Sequence, residues 1–399
     1  MNRRVVDIAV VGGGMVGAAT ALALAQEGFS VQLLDAAPAP QWHPEDEMDL
    51  RVVAFAPSSA AWLDRLGVWS QVREARVQPY RAMRVRDAVQ GIEVSFDASL
   101  LDSDGLGWII ENRLLQYALW QALEAQGIER LCPARVQGYE LDENRIRLSL
   151  QDGTSLSARL LVAADGRDSP LRGQAGIPTH GRDYQQRAVV AHLSCERPHQ
   201  DTAWQRFLPS GPLALLPLSD GRVSLVWSLP ESAALDLLDQ DDSGFVEAVG
   251  VASDFMLGRL QQVSKRAAFP LRLAVAERFS APRTVLVGDA AHAVHPLAGQ
   301  GVNLGLRDGE ELVSVLAAAH HVGRDFSAAA VLSRYARRRR SASSLDAWSF
   351  DAIARLYAFK FPPLVALRGF GMQAVQHLPP LRRALAAHAA GLPLNQYSR

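Results

Sequence analysis

The chain contains little cysteine and almost no lysine. Among its 399 residues the cysteines are Cys132 and Cys195, and the lysines are Lys265 and Lys360. Two cysteines far apart in sequence do not make a disulfide framework, and the lack of a Cys-x-x-Cys pair excludes a dithiol redox centre. Because scarce cysteine favours a reducing compartment, we expect a cytoplasmic protein.

The sequence also lacks a surplus of positive charge and a long apolar run. Lys and Arg number 41 against 42 Asp and Glu, a net charge of -1, which argues against a nucleic-acid partner. No run of about 18 uninterrupted apolar residues occurs, so no membrane-spanning helix is predicted. The apolar run near the first residue is interrupted by Asp7 and ends at Gly12, which is too early for a signal peptide.

The remaining composition is that of a folded protein. Hydrophobic residues make up 48% of the chain and charged residues 21%, as in globular rather than disordered proteins. A chain of this length exceeds one small core, so we expect two packed regions.

A glycine-rich turn follows the first apolar run. Residues 5–11 form a β-branched run typical of a buried strand, and Gly12, Gly14 and Gly17 then give the pattern G-x-G-x-x-G. Such glycines let the backbone approach a pyrophosphate, while the start of the next helix offers unpaired N–H groups. The turn therefore predicts a dinucleotide site.

The residues after this turn complete the pattern. Strong helix formers continue to Gly28, and a second strand-like run, SVQLLD, ends at Asp35. A carboxylate at this point can accept hydrogen bonds from ribose hydroxyls, and it favours a ribose without a 2′-phosphate. A solvated carboxylate at a strand end is the alternative, and both NAD and FAD fit the pattern.

Two further apolar runs end in polar or glycine residues. One ends at Asp165 and Gly166, and the other at Gly288 and Asp289. In a doubly wound sheet these strand ends share the edge at which ligands bind. A nicotinamide dinucleotide needs only the first turn, whereas a ligand with a ribityl chain and a flavin ring can use all three.

The last of these runs opens the segment VGDAAHAVHPLAGQGVNLGLRD, residues 287–308. Its glycines precede a helix, so they are not helix-ending caps, and an ordinary strand–helix connection is the weaker alternative. His292 and His295 suggest a metal site, but Pro296 breaks the intervening helix and no third ligand stands near. We expect no metal, and His295 is either a hydrogen-bonded loop histidine or a proton carrier.

Together these motifs resemble those of single-component FAD-dependent aromatic hydroxylases, which have the para-hydroxybenzoate hydroxylase fold. The narrower resemblance is to ubiquinone-biosynthesis hydroxylases, the UbiH/UbiF/VisC group. It rests on the phrases DIAVVGGGMVG, LRVVAFAPSSAAWLDRLGVW, IIENRLLQYALWQALEAQ, LPLSDGRVSLVWSL and HPLAGQGVNLG. These phrases extend from the first strand to beyond residue 300.

The resemblance implies an α/β fold with a Rossmann-like FAD-binding domain, an antiparallel-sheet substrate domain and C-terminal helices. Alternating short runs between residues 80 and 108 and between 184 and 227 favour such a sheet. The expected division is 1–75, 109–180 and 277–345 for the FAD-binding domain, 76–108 and 181–276 for the substrate-binding sheet, and 346–399 for the helical segment.

The resemblance also implies roles for single residues. Asp35 would bind the adenosine ribose, Arg51 and Arg113 the phosphates or ribityl region, Val136 the adenine through its backbone, and Asp289 the ribityl hydroxyls. Asp165 and Gly166 would support FAD and the visiting nicotinamide donor. The expected cofactor-binding residues are Gly12, Gly14, Met15, Val16, Gly17, Asp35, Arg51, Arg113, Val136, Asp165, Gly166, Gly288, Asp289, Pro296, Gly299, Gly301, Val302 and Asn303.

The glycine-rich loop is the expected catalytic element. Backbone groups of Pro296, Gly299, Gln300 and Gly301 would stabilise a reduced, anionic flavin and leave room at its C4a atom. The implied reaction uses NAD(P)H and O2, passes through a flavin C4a-hydroperoxide and hydroxylates an aromatic ring. No side chain is assigned as a base.

Large residues of the alternating runs are candidates for the substrate pocket. Alternation means that about half of them should face away from the ligand, and each could equally belong to the core. The candidates are Trp204, Phe207, Leu215, Pro217 and Trp227.

The C-terminal part is expected to be helical. The basic run Arg337–Arg340 is a solvated or salt-bridged face, or else a contact for an anionic membrane or a protein partner. The apolar segment after residue 360, with scattered arginines, is a helical cover or an amphipathic surface beside a lipid-tailed substrate. We therefore include peripheral contact with the inner face of the membrane, or with a ubiquinone-biosynthesis complex.

The predicted function is ring hydroxylation of a polyprenylated phenol or benzoquinol of the ubiquinone pathway. Hydroxylation of a small free aromatic acid or pigment precursor is one alternative, and a non-catalytic FAD-binding redox sensor or scaffold is another. A flavin halogenase is disfavoured because the chain lacks a Trp-x-Trp-x-Ile-Pro segment and pocket lysines. The ring position, the choice of NADH or NADPH and the oligomeric state stay open.

Overall fold

A computed structural model of the chain describes residues 5–294, 301–358 and 361–392. The strands are β1 (Val6–Val11), β2 (Val31–Leu34), β3 (Val52–Phe55), β4 (Gln78–Tyr80), β5 (Ala82–Asp87), β6 (Glu93–Asp97), β7 (Gly107–Glu111), β8 (Glu129–Leu131), β9 (Val136–Leu141), β10 (Ile146–Leu150), β11 (Ser155–Ala163), β12 (Thr179–Cys195), β13 (Thr202–Leu208), β14 (Gly211–Pro217), β15 (Val223–Pro230), β16 (Leu260–Val263), β17 (Ala267–Ala276), β18 (Ser280–Ala281), β19 (Thr284–Leu286) and β20 (His292–Ala293).

The helices cover the sheets and form most of the last quarter of the chain. They are α1 (Met15–Gln26), α2 (Pro57–Arg65), α3 (Trp69–Glu74), α4 (Asn112–Ala125), α5 (Pro170–Gln174), α6 (Glu231–Leu238), α7 (Asp242–Ala252), α8 (Gly301–His320), α9 (Ala329–Ala358), α10 (Pro362–His377) and α11 (Pro379–Ala390). Short 3₁₀ turns cover Ala98–Leu101 and Gly288–Ala290. Among the described residues, no helix has both the length and the apolar character needed to cross a membrane.

The first sheet has the order β18-β19-β11-β1-β2-β8, with β10 and β9 added beside β11. Strands β19, β11, β1, β2 and β8 are parallel neighbours. The uninterrupted apolar sequence of β1 suits its central place, since Ile8, Ala9 and Val10 are fully buried. The carboxyl ends of β1, β2, β11 and β19 therefore share one edge, as the sequence predicted.

The second sheet has nine strands in the order β20-β17-β12-β15-β14-β13-β5-β6, with β16 beside β12. Most neighbours are antiparallel, but β5 runs parallel to β13, which the sequence did not indicate. One face packs on α6 and α7 through Leu215, Leu225, Trp227 and Phe245. The opposite face, here called the front face, is turned toward the first sheet and the C-terminal helices.

A third, small sheet has the order β3-β7-β4. Strand β4 lies in the segment predicted as part of the substrate sheet. In the structure it pairs with β7 instead, and Tyr80 lies opposite Gly107. The nine-stranded sheet nevertheless includes β5, β6 and β12–β17. The exact domain limits stay a prediction.

A buried ion pair attaches the C-terminal helices to the nine-stranded sheet. Arg368 of α10 donates from Nε to Asp87 Oδ2 of β5 at 2.8 Å, and both side chains are almost fully buried. Arg368 also donates to the carbonyl oxygens of Leu356 and Tyr357 near the end of α9. One arginine thus joins α9, α10 and β5.

Candidate active site

The turn after β1 has the shape that a phosphate needs. Gly12 has φ +107°, and a Cβ there would lie 2.2 Å from the Ala164 carbonyl oxygen. A Cβ on Gly17 would lie 1.9 Å from the Gly12 carbonyl oxygen, so both positions require glycine. At Gly14 a Cβ would meet open space, and no side chain caps α1 there. The helix start is therefore open to an anion.

Side chains from elsewhere hold this turn in place. The Asp35 carboxylate accepts from the backbone N–H groups of Gly13 and Ala37. Trp120 Nε1 and Gln116 Nε2 of α4 donate to the Gly13 carbonyl oxygen at 2.7 and 2.9 Å. Asp35 thus lies at the phosphate turn, close to where a ribose would follow.

The segment that would face adenine lies beside Asp35. The Ala134 N–H donates to the Asp35 carbonyl oxygen at 2.6 Å, and Val136, two residues later, begins β9 and is half-buried. This position is compatible with the predicted backbone contact of Val136.

The two predicted arginines differ in their surroundings. Arg51 is exposed at the rim of a cavity, with its guanidinium carbon 6.0 Å from the centre of the Phe269 ring. Arg113 is held by the preceding loop, because it donates from Nη2 to the Glu47 carbonyl oxygen at 3.1 Å and has Nη1 3.9 Å from Asp46. Arg51 is therefore better placed than Arg113 to receive a phosphate.

The turn after β11 is braced by Asp165. Its Oδ1 accepts from Ser169 Oγ at 2.5 Å and its Oδ2 from the Leu171 N–H at 3.3 Å. Burial raises the pKa of Asp165, although these hydrogen bonds and Arg172 act in the opposite direction. Gly166 follows with φ +89° and open space at its Cβ position.

The turn after β19 packs directly on α1. A Cβ on Gly288 would lie 3.2 Å from Val16 Cγ1, and one on Gly305 would lie 2.6 Å from Val16 Cγ2. Met15 and Val16 are half-buried in the first turn of α1. Arg172 Nη1 donates to the Ala290 carbonyl oxygen at 3.0 Å, which joins the second and third turns. The three strand ends thus form one surface.

Asp289 faces the cavity between the two large sheets. Its side chain is accessible to solvent, but many protein atoms surround it at slightly greater distance. The resulting desolvation raises the pKa of Asp289, while the nearby His292 and Arg167 act to lower it. The cavity has a volume of about 340 Å³. Its other lining residues include Arg51, Val53, Asn112, Arg167, Ala188, Val190, Ala214, Leu216, Val226, Phe269, Gly301 and Val302.

The predicted substrate residues do not line this cavity. Leu215 and Trp227 lie in the apolar cluster on the far face of the sheet, against α6 and α7. Trp204 is paired with Leu215 and has Arg84 5.0 Å from its ring centre. Pro217 shares the alternation of Leu215, so it belongs to that face as well. The prediction for these four residues is corrected accordingly.

Phe207 is on the front face but does not line this cavity. Its ring stacks on Tyr357 of α9, with centres 3.8 Å apart. The cavity wall consists of smaller residues: Ala188, Val190, Ala214, Leu216 and Val226. Sequence analysis missed them because it selected large side chains, although the alternation of β12, β14 and β15 was the available signal.

Part of the glycine-rich loop has a defined position. Pro296, Gly299, Gln300 and His295 lie outside the described residues. Gly301 begins α8, and Gly301 and Val302 line the cavity. Their predicted roles toward the flavin stay predictions.

Asn303 is fixed by its side chain. Nδ2 donates to the Ala54 carbonyl oxygen at 2.8 Å, while Oδ1 accepts from the Ala56 N–H and Ser59 Oγ. The side chain therefore attaches the first turn of α8 to β3 and α2, and only its backbone is left for the predicted cofactor contact.

A buried charged cluster joins α8 to the third strand end and to α9. Asp308 of α8 accepts from the Gly288 N–H at 3.0 Å and from Arg339 Nε at 2.7 Å, and its Oδ2 is 2.5 Å from His292 Nε2. Burial disfavours both charges, but the Asp308 carboxylate raises the pKa of His292 against the opposing effect of Arg339, and His292 and Arg339 together lower the pKa of Asp308. His292 thus pairs with a carboxylate in the described structure.

Two arginines of the basic run in α9 form ion pairs with carboxylates of α8. Arg339 is buried against Asp308, and Arg338 donates to Glu311 at 2.6 Å. Of the two interpretations offered by the sequence, these contacts favour salt bridges within the chain.

His192 is a histidine that sequence analysis did not identify. It follows Ala188 and Val190 on the same face of β12 and is 1% exposed. Neither ring nitrogen has a partner in the described part of the chain, and burial lowers its pKa to about 4. It is therefore a neutral imidazole near physiological pH.

Residues 5–345 match the model of a protein family that is described as "FAD binding domain". The chain belongs to the FAD-binding domain family. The fit is physical as well, since an uncapped helix start, obligatory glycines and three strand-end carboxylates lie along one edge of the first sheet.

Relatives extend over nearly the whole chain. It is 37% identical over 395 residues to the 3-demethoxyubiquinol 3-hydroxylase of Escherichia coli, covering 98% of this chain and 100% of that one. It is 36% identical to the mitochondrial ubiquinone biosynthesis monooxygenase COQ6 of Mus musculus, covering 97% and 91%. It is also 36% identical to the ubiquinone hydroxylase UbiL of Rhodospirillum rubrum, and the match covers 97% of this chain and 90% of that one.

Solved structures share the fold at lower identity. p-Nitrophenol 4-monooxygenase of Pseudomonas putida has a TM-score of 0.77 at 21% identity, covering 97% of this chain and 98% of that one. HpxO of Klebsiella pneumoniae, solved with FAD and uric acid, has a TM-score of 0.76 at 21% identity, covering 97% and 98%. The predicted fold class and the family resemblance are confirmed.

The chain is therefore an FAD-dependent aromatic-ring monooxygenase of the ubiquinone-biosynthesis group. FAD is its cofactor, and NAD(P)H is the co-substrate typical of the family. These findings favour an enzyme over the non-catalytic redox sensor or scaffold.

Proposed function

We propose that the enzyme hydroxylates the ring of a polyprenylated phenol or benzoquinol of ubiquinone biosynthesis. The observation that carries the proposal is the cavity in which Asp289 and Gly301 face an apolar wall formed by Val190, Leu216 and Val226. An apolar wall opposite a flavin edge suits an uncharged, electron-rich ring, because such a ring gives up no charge hydration on entering the cavity.

Bound FAD supplies hydride acceptance from NAD(P)H, oxygen activation and transfer of a hydroxyl group. The chain supplies binding and orientation. Asp289 can accept from ribityl hydroxyls, Arg51 can neutralise phosphate charge, and the amide groups at the start of α8 can donate toward an electron-rich ring. The small apolar residues of the front face exclude water from the reacting atoms.

The experiment is substrate-stimulated oxidation of NADH and NADPH by the purified holoenzyme, with product masses measured. We expect a prenylated phenol to accelerate the oxidation and to gain one oxygen atom derived from O2. Phenol-independent oxidation would contradict hydroxylase activity. Acceleration and oxygenation by small hydroxybenzoates alone would favour the alternative substrate class.

We also propose that the outer surface of α10 and α11 contacts an anionic lipid surface. Leu378 and Leu381 are exposed there, beside Arg382, and no acidic residue follows Asp351. Apolar and basic side chains together suit an anionic membrane face.

Sedimentation with vesicles of phosphatidylglycerol and phosphatidylcholine tests this contact. We expect Leu378→Glu to reduce the bound fraction several-fold and to leave FAD content unchanged. Leu235→Glu is the matched control, because Leu235 is similarly exposed on α6. Equal binding by the two variants would contradict the contact.

A further inference from the structure

Two buried polar side chains lie side by side on the front face of the nine-stranded sheet. His192 of β12 is the direct cross-strand partner of Ser224 of β15, and the two residues are 1% and 0% exposed. Within the described part of the chain, both ring nitrogens of His192 and the Oγ of Ser224 have no hydrogen-bond partner. Because buried polar groups are almost always hydrogen-bonded, three such atoms in one place indicate a polar ligand.

The pair adjoins the wall of the active-site cavity. Val190 lies two residues before His192 on β12, Val226 lies two residues after Ser224 on β15, and Leu216 is opposite Ser224 on β14. All three of these apolar neighbours line the cavity. Residues two apart on a strand share a face and are about 7 Å apart. A ring against Val190 and Val226 therefore has the polar pair next to it along the strands.

The loop before β3 covers both the cavity and the polar pair. Leu50 and Arg51 of this loop line the cavity. The carboxylates of Glu47 and Asp49 in the same loop are near enough to act on the charge of His192. The pair thus lies at one end of the cavity, on the same two strands and under the same loop.

The imidazole of His192 is suited to accept a hydrogen bond and not to remove a proton. Burial lowers the pKa of His192 to about 4, and Arg222 acts in the same direction. The carboxylates of Asp220, Asp49 and Glu47 oppose this shift without reversing it. A phenol has a pKa of about 10, as in tyrosine, so proton transfer to this imidazole is strongly unfavourable.

The hydrogen-bonding groups of the pair match those of a ring hydroxyl. A neutral imidazole has one acceptor nitrogen and one N–H donor, and a serine hydroxyl can both donate and accept. A ring hydroxyl likewise donates one hydrogen bond and accepts another. The apolar residues of the cavity wall offer no such contact from their side chains.

We propose that His192 and Ser224 bind a ring hydroxyl group of the substrate and so determine which ring carbon is hydroxylated. The inference rests on the proposed function, because it requires a ring with a hydroxyl group in the cavity. The substrate hydroxyl donates to the acceptor nitrogen of His192, and Ser224 Oγ donates to the oxygen of the same hydroxyl. With its hydroxyl held at one end of the cavity, the ring cannot rotate in its own plane.

Two ligands that differ in one hydroxyl group test this contact. They are a phenol that carries one isoprene unit and the methyl ether of the same phenol, which has no O–H to donate. The measurement is the Kd of each ligand, obtained from the change it causes in the flavin spectrum of the holoenzyme. We expect the wild type to bind the phenol about threefold to tenfold more tightly than the ether, as one hydrogen bond provides.

His192→Leu should weaken phenol binding about threefold to tenfold and leave the Kd of the ether and the FAD content unchanged. Folding should persist, because an apolar side chain replaces a buried polar group that has no partner in the described chain. Ser224→Ala should reduce the preference for the phenol in the same direction. His192→Leu should also convert a single hydroxylated product into a mixture of ring isomers, separated by chromatography and identified by mass.

A conservative variant and a matched control separate hydrogen bonding from packing. His192→Gln keeps a side-chain acceptor and donor, so it should retain most of the preference for the phenol. His180→Leu should match the wild type, because His180 is exposed on the same strand and its side chain pairs with Glu277.

Three results would overturn the proposal. Equal weakening of phenol and ether by His192→Leu would give His192 a packing role only. Unchanged Kd values for both ligands in His192→Leu and Ser224→Ala would mean that the pair binds a buried water only. Either result would leave ring hydroxylation intact, whereas failure of every phenol to bind or to stimulate NAD(P)H oxidation would overturn the proposed function as well.

Discussion

His292 and Asp308 form a buried pair between the third strand end and α8, with Nε2 and Oδ2 2.5 Å apart. The same carboxylate binds the Gly288 N–H and the Arg339 guanidinium. One aspartate of α8 therefore holds the third strand end, β20 and α9 together. The position of Asp289, one residue after Gly288, depends on this contact.

Asp308→Asn should destabilise the protein strongly. The change leaves Arg339 and His292 buried without their carboxylate, and breaking a buried pair in this way costs about 3 to 5 kcal/mol. Urea denaturation of the holoenzyme measures the loss in the free energy of unfolding. Glu310→Gln on the same helix removes only an exposed ion pair with Arg65 and should cost at most about 1 kcal/mol. Equal losses in the two variants would contradict the cluster's role.

The pair also predicts a pH dependence of stability. The pKa of His292 is raised in the folded state, so its contribution is complete below the unfolded pKa of about 6.5 and is lost as pH rises through the folded pKa. The pKa of Asp308 is lowered, so its contribution is present above about 3.9 and is lost as pH falls through the folded pKa.

His292→Gln tests the alkaline side of this dependence. The difference in unfolding free energy between wild type and His292→Gln should be largest at pH 5 to 6 and shrink toward pH 9. Urea titrations at intervals of one pH unit measure it. His180→Gln, which alters an exposed histidine beside Glu277, should show little difference at any pH. A difference for His292→Gln that is constant with pH would contradict the assignment.

Gly17→Ala should abolish FAD binding. The added Cβ would collide with the Gly12 carbonyl oxygen at 1.9 Å and distort the phosphate turn. The flavin absorbance per mole of purified protein measures retention, and far-ultraviolet circular dichroism checks that the chain is folded. Gly173→Ala, where a Cβ meets open space, should keep its FAD. Full retention by Gly17→Ala would contradict the predicted site.

Asp289→Ala should raise the Kd for FAD about tenfold to a hundredfold. Hydrogen bonds to a charged acceptor contribute about 1.5 to 3 kcal/mol, and Asp289 is the carboxylate that faces the cavity from the third strand end. Titration of the apoprotein with FAD, followed by flavin fluorescence, measures the change. Asp168→Ala, at a nearby exposed position, should bind FAD like the wild type. Unchanged affinity for Asp289→Ala would refute the ribityl assignment.

Arg368→Met should loosen the C-terminal helices. It leaves Asp87 buried without its main partner, at a cost of about 3 kcal/mol or more, and removes the bonds to the end of α9. Limited proteolysis should then cut within residues 340–392 sooner than in the wild type. Arg383→Met, which removes an exposed contact with Asp102, is the control. Identical cleavage rates would show that this pair does not anchor the helices.

The sequence predicted the phosphate turn because its determinants are local. Strand, glycines, helix and Asp35 lie within 35 residues, and the steric need for glycine at Gly12 and Gly17 is visible in the spacing. The other two strand ends could be found in the same way, from an apolar run that stops at Asp165 or Asp289.

The substrate side was less predictable because alternation does not say which phase of a strand faces the ligand. Leu215 and Leu216 are neighbours on β14, yet the first packs on α6 and α7 while the second lines the cavity. The choice depends on helices that follow later in the chain. Selecting candidates by large side-chain size also gave the wrong residues, because the wall of this cavity consists of smaller side chains.

Contacts between distant segments could not be predicted either. Asn303 bonds to Ala56 and Asp308 to Arg339 because of the tertiary fold, and no short pattern encodes those partners. Arg339 lay within a basic run that suggested exposure. The spacing of Tyr335, Arg339 and Ser343, all buried on one side of α9, was the available signal.

The central place of β1 also constrains when the enzyme can acquire its coenzyme during synthesis. Gly12 lies against the carbonyl of Ala164, and the third strand end reaches the edge only with Gly288. A nascent chain on the ribosome that has not yet exposed residue 288 therefore contains the glycine-rich phosphate turn but lacks the third strand end of the FAD site. Coenzyme loading should follow translation of most of the chain, and shorter nascent chains present unpaired strand edges of the kind that favour aggregation.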